Sequence, residues 1–104
     1  MSESVYERIA ALKVVPVVAV ESVESAIPFA DALIAGGLPI AEITFRTAAA
    51  ADVIRLLSKE RPELLVGAGT VTTPAQARAA QACGAQFAVA PGFNPAVVEA
   101  AQAI

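Results

Sequence analysis

The chain has 104 residues, 57% of them hydrophobic and only 16% charged, with a net charge of −3 and a mean hydropathy of +0.65. This balance excludes a disordered chain and fits a single domain with a modest core. With no basic run, there is no electrostatic footprint for nucleic acid or for an acidic membrane surface.

In chain order, Ser4 and Glu7 make a capping-box pattern ahead of Val5, Ile9 and Leu12, which predicts a short helix over 4–13. No basic stretch followed by an apolar one occurs there, and no apolar run reaches the ~18 residues of a membrane span, so a cytoplasmic location is expected. "VVPVVAV" (14–20) is a β-branched run of the kind buried on both faces of a sheet, with Pro16 requiring an edge or a harmless position. Residues 25–37 read as a helix with Ala26, Phe29, Ala30, Leu33 and Ile34 on one side, Ser25 as cap, Pro28 in the first turn and Gly36-Gly37 at the end. A strand follows at about 40–46. The next helix spans 47–60, with Thr47 as candidate cap and Val53, Ile54 and Leu57 facing inward. "LLVGAGTV" (64–71) is a third strand that runs into glycines. Residues 73–84 form a helix with Thr73 as cap, Pro74 at its first position, Gln76 completing a capping box and Gly84 closing it. A fourth strand at 85–91 and a helix from 94, with Asn94 as cap and Pro95 next, complete the chain.

Strands and helices therefore alternate four times behind a leading helix, with strand starts near 14, 40, 64 and 86. Mostly apolar strands in this order predict an α/β fold with a parallel sheet covered by helices. Two architectures fit: an open sheet, or the first four βα units of a (β/α)8 barrel, for which eight such units would need roughly 190–200 residues. "EAAQAI" at the end carries no helix stop signal, so residues 1–104 are expected to be an incomplete domain.

Few residue types are available for chemistry. There is no histidine and a single cysteine, Cys83, which reads as a small buried residue near a helix end. No disulfide, no zinc site of the usual kind and no Ser-His-Asp or Cys-His arrangement can be built from this set. "AEITFRT" (41–47) is the more informative stretch. Period-2 alternation puts Glu42, Thr44 and Arg46 on one face and Ala41, Ile43 and Phe45 on the other. A surface ion pair is one reading, although four residues of strand span about 13 Å and separate the two heads. In a barrel, Glu42 and Thr44 would point inside, and Arg46 would stand at the C-terminal rim where barrel enzymes hold their sites. A carboxylate there can move protons, and an arginine at the rim can grip a carboxylate or phosphate with two parallel hydrogen bonds. "GAGT" (67–70) ends the third strand at the same rim with the Thr70 hydroxyl; its glycines suit either a close ligand or a tight turn. "APGF" (90–93) brings Pro91 to that rim, or is simple loop punctuation.

"VVPVVAV", "AEITFRT", "VGAGTVTTPAQ" and "GAQFAVAPGFNP", in this order and spacing, resemble the 2-keto-3-deoxy-6-phosphogluconate (KDPG) and 4-hydroxy-2-oxoglutarate (KHG) aldolase family, over the N-terminal half of its members. Related phosphogalactonate aldolases keep the glutamate and usually lack the arginine, so Arg46 favours the phosphogluconate branch. The resemblance implies a class I, Schiff-base aldolase on a (β/α)8 barrel, commonly a homotrimer, with no metal and no organic cofactor. It implies a small keto acid phosphate as substrate, cleaved to pyruvate and glyceraldehyde 3-phosphate. By motif match Glu42 is the general acid/base, Arg46 and Thr70 bind the pyruvate carboxylate, and Pro91 lies in the site wall. The family's Schiff-base lysine falls beyond residue 104. Lys13 and Lys59 do not match it, so the chain alone is expected to be inactive. The rival reading is a self-standing four-unit module that acts as a scaffold or small-anion binder. A chance match in another anion-binding α/β domain is the weaker third.

Overall fold

The computed structural model describes residues 4–104. Helix α1 (Val5–Leu12) opens with the predicted capping box, in which the Ser4 hydroxyl accepts from the Glu7 amide and the Glu7 side chain accepts from the Ser4 amide. None of its residues is buried. Four parallel strands follow in sequential order: β1 (Val17–Val18), β2 (Ile40–Thr44), β3 (Leu65–Gly69) and β4 (Phe87–Ala88). Helices α2 (Ala26–Ala35), α3 (Ala50–Glu60), α4 (Pro74–Ala82) and α5 (Pro95–Gln102) make the crossovers and the closing element. A doubly wound sheet reverses its strand order at a switch point; this one does not. Unreversed order is the winding of a (β/α)8 barrel, of which this sheet is four strands.

The core lies between one face of the sheet and the helices. Ala41 and Ile43 of β2 and Val66 and Ala68 of β3 pack with Ala30 of α2, Val53, Ile54 and Leu57 of α3, and Ala77 and Ala80 of α4. Each fully buried Ile or Leu contributes roughly 1.5–3 kcal/mol. Small alanines on α2 and α4 suit close helix-on-sheet packing, which leaves the larger side chains to α3.

The outer strands are shorter than their sequence runs. Only Val17 and Val18 of the 14–20 run pair, and Val14 and Val17 are more than half exposed, because β1 has a neighbour on one side only. The Pro16 carbonyl accepts from the Glu42 amide at 2.9 Å, a role that does not need the missing N–H. β4 is trimmed to two residues for the same edge reason.

Two predicted caps are replaced. The Ser25 hydroxyl turns back to the Ser22 carbonyl at 3.0 Å in a short 3-10 turn, so α2 has no side-chain cap. α3 starts three residues after Thr47, whose hydroxyl instead donates to the Val20 carbonyl at 2.8 Å and ties the β2–α3 loop to the end of β1. Gln76 is a smaller correction. Its side chain accepts from the Thr72 amide rather than from the cap residue, while Thr73 caps α4 as expected. Asn94 caps α5. Gly37 at φ +84° and Gly84 at φ +101° close α2 and α4, with Leu38 N donating to Leu33 O and Ala85 N to Ala80 O, both at 3.0 Å.

Candidate active site

The strand register builds the site on the face turned away from the helices. Val17, Glu42, Gly67 and Phe87 lie at one level across the four strands, and Thr44 and Gly69 at the level above. Ile43 joins the helix-side core, so its neighbours Glu42 and Thr44 take the opposite face. That face is closed at its centre: Glu42 is 8% exposed and Ile40, Thr44 and Leu65 are fully buried. It opens only at the outer strands, where Val17 and Val89 are exposed.

Gly67 and Gly69 have a packing reason that their spacing did not show. A Cβ at position 69 would stand 2.8 Å from Glu42 Cγ and Cδ and closer still to Oε2. A Cβ at 67 would collide with the Phe87 ring. The glycines thus make room for a carboxylate and an aromatic ring of this chain. The Glu42 side chain lies along its strand toward the C-terminal rim and rests over Gly69, the residue in register with Thr44.

At the rim, β2 ends at Thr44, so Arg46 is in the following turn and exposed rather than on the strand face. Among the described residues the ion pairs are Arg55–Asp52 and Arg61–Asp31; Glu42 and Arg46 are not paired with each other. Thr70 follows β3 directly and takes the left-handed conformation at φ +56°, a position uncommon for a non-glycine residue. The β2 and β3 ends are held together by Phe45 N donating to Gly69 O at 2.9 Å, and the β3 and β4 ends by Val71 N donating to Val89 O at 3.1 Å. Arg46 and Thr70 thus stand at adjacent strand ends above Glu42. Pro91 is exposed in the β4–α5 loop, in a groove of about 200 Å³ shared with Val71, Thr72 and Phe93. Lys13 caps α1 and Lys59 lies in the last turn of α3; both are exposed and neither is on the Glu42 face. Cys83 is buried at the end of α4, where the Arg55 guanidinium donates to its sulfur at 3.2 Å.

Sequence reasoning did not nominate Thr44. Its Oγ1 is buried and is the described side-chain atom of that kind without a hydrogen-bond partner. Alternation along "AEITFRT" put it on the Glu42 face, and that was the available signal.

The profile of the KDPG and KHG aldolases matches residues 5–104. This chain belongs to that family. It is 52% identical over 95 residues to the 2-dehydro-3-deoxy-phosphogluconate aldolase of Treponema pallidum, covering 91% of this chain and 45% of that protein. It is 49% identical over 88 residues to the KHG/KDPG aldolase of Escherichia coli, covering 85% and 41%. Among solved structures, the KDPG aldolase of Legionella pneumophila, with pyruvate captured as a covalent carbinolamine intermediate, superposes with a TM-score of 0.81 at 42% identity, over 85% of this chain and 43% of that one. The Zymomonas mobilis enzyme with 3-phosphoglycerate gives 0.83 at 38% identity, over 91% and 47%. The chain therefore spans a little under half the length of these relatives, and its four strands are about half of their barrel. No helix among the described residues is long and apolar enough to cross a membrane.

Proposed function

We propose that this chain supplies the proton-transferring carboxylate and the carboxylate-binding rim of a class I aldolase. That enzyme would cleave 2-keto-3-deoxy-6-phosphogluconate to pyruvate and glyceraldehyde 3-phosphate, with 4-hydroxy-2-oxoglutarate, giving pyruvate and glyoxylate, as a second substrate. The observation that carries the reading is a buried carboxylate, Glu42, on the sheet face away from the helices, directly beneath a rim bearing Arg46 and Thr70.

In this scheme a lysine amine outside these 104 residues adds to the substrate's keto carbon. Glu42 moves protons to and from the resulting carbinolamine, so that water leaves and the Schiff base forms. As Glu42 takes the proton of the C4 hydroxyl, the C3–C4 bond breaks, the aldehyde leaves and the bond's electrons pass to the iminium to give an enamine. The enamine carbon then takes a proton back through Glu42, and water hydrolyses the resulting imine to release pyruvate and free the lysine. Arg46 grips the pyruvyl carboxylate with its two parallel N–H donors, and Thr70 adds a third contact. Pro91 walls the site. The solvent-facing positions of Lys13 and Lys59 support assigning the amine elsewhere. The chemistry needs no metal or organic cofactor, and the complete enzyme is proposed to be a cytoplasmic homotrimer.

The test is intact mass of the natural protein before and after pyruvate plus borohydride. A mass near twice this chain's, with one reduced pyruvate adduct, is expected. A mass equal to these 104 residues, with no adduct, would overturn the reading and leave a scaffold or small-anion-binding module. Glu42→Gln should lower turnover by about 10²–10⁴-fold.

A further inference from the structure

Thr44 is unusual on this sheet. Its side chain is fully buried, and Oγ1 has no protein partner. A buried hydroxyl left unpaired is a net cost, and valine has nearly the same shape without that cost and with equal strand propensity. Fold alone therefore gives no reason for a hydroxyl here. Two observations give one. First, Thr44 and Glu42 share the face opposite the helices. Second, the Glu42 carboxylate does not point straight up from its own level. It leans over Gly69, the residue side by side with Thr44, so carboxylate and hydroxyl border the same patch. The ionised carboxylate only accepts hydrogen bonds, whereas the hydroxyl can donate. Residues in register with them, Val17, Gly67, Gly69 and Phe87, bring no other polar side chain.

We propose that Thr44 is a positioning residue for Glu42: its hydroxyl and the carboxylate hold one water between them, which fixes the carboxylate for proton transfer. A water there would find one donor and one acceptor in these two side chains, the fewest partners that a buried water requires. As a positioning residue that acts through Glu42, Thr44 is expected to leave substrate capture intact. This inference rests on Glu42 being the proton-transfer group.

The test is exchange of the pyruvate methyl protons with deuterated solvent, followed by proton NMR on the natural protein, alongside kcat and KM for cleavage. Thr44→Val is expected to slow exchange and kcat by about ten- to a hundredfold, with KM nearly unchanged. Thr44→Ser should restore most of the rate. If Thr44→Val fails to fold, the Ser and Ala variants at 44 share the loss of the methyl and isolate the hydroxyl. Exchange that survives Thr44→Val, or a Ser variant no faster than Ala, overturns the proposal. Glu42→Gln is measured in parallel. Loss of exchange in Glu42→Gln but not in Thr44→Val refutes only the role of Thr44. Full exchange in Glu42→Gln refutes the assignment of Glu42, and that of Thr44 with it.

Discussion

Gly69→Ala is a direct probe of the site, because the methyl would enter space that the Glu42 side chain already fills. The new carbon would stand 2.8 Å from Glu42 Cγ and Cδ, inside any normal contact distance, while the Gly69 backbone is not in the left-handed region and accepts alanine. Overpacking of this kind costs about 1–3 kcal/mol. Loss of unfolded-state freedom on replacing glycine returns about 0.4–1 kcal/mol. The net expectation is a loss of about 0–2.5 kcal/mol. The informative measurement is a double-mutant cycle by urea unfolding, with Glu42→Ala as the second change. With the side chain at 42 truncated, the collision disappears, and Gly69→Ala should become neutral or stabilising by up to about 1 kcal/mol. The same single variant displaces the carboxylate, so turnover should fall by about a hundredfold or more while the fold persists. An equal penalty for Gly69→Ala with and without the Glu42 side chain would refute the account of why position 69 is glycine.

Three further outcomes follow from the geometry. Thr73→Ala, which removes the hydroxyl that accepts from Gln76 N, should cost about 0.5–2 kcal/mol by thermal unfolding. Thr47→Ala should leave the start of α3 unchanged by amide chemical shifts, since Thr47 is not its cap, while loosening the 20–22 segment to which its hydroxyl is bonded. The Arg61 guanidinium hydrogen-bonds Asp31 and holds its carboxyl below the usual carboxylate range, with a smaller opposing push from desolvation. A folded-state value below the unfolded one adds stability that is full above the unfolded pKa and is lost as pH falls through the folded one. Unfolding midpoints of the wild type and Asp31→Asn should therefore differ most near neutrality and converge in acid. Because the pair is at the surface the gap should be small and shrink with salt. A gap that widens in acid would contradict the assignment.

Much of this protein is readable from local pattern. Order and type of the elements follow from alternation in β2, the apolar run of β3 ending in glycines, the apolar spacing of α3, and the Thr73-Pro74 and Asn94-Pro95 starts. Each is a preference that a residue expresses through its own neighbours in the chain. The facing of Glu42 and Thr44 is likewise a consequence of the two-residue period, once Ile43 is assigned to the core.

Other features depend on what lies alongside in space. The run at 14–20 looks like a buried strand, yet pairs over two residues, because position at a sheet edge is not encoded in the run itself. Ser25 and Thr47 look like caps, but each hydroxyl found a better acceptor, Ser22 O within the 3-10 turn and Val20 O across the loop. The glycines of "GAGT" suit either a close ligand or a tight turn by sequence, whereas the register fills the space over them with Glu42 and Phe87. Whether the sheet winds as a barrel or an open sheet was equally undecided by residue spacing, since both use the same alternation of elements; unreversed strand order settles it. Side-chain pattern along a chain reports which face a residue takes. Which residue meets it there is set by pairing between segments some 25 residues apart, and in this protein that pairing brings Glu42, Gly69 and Thr44 to one patch.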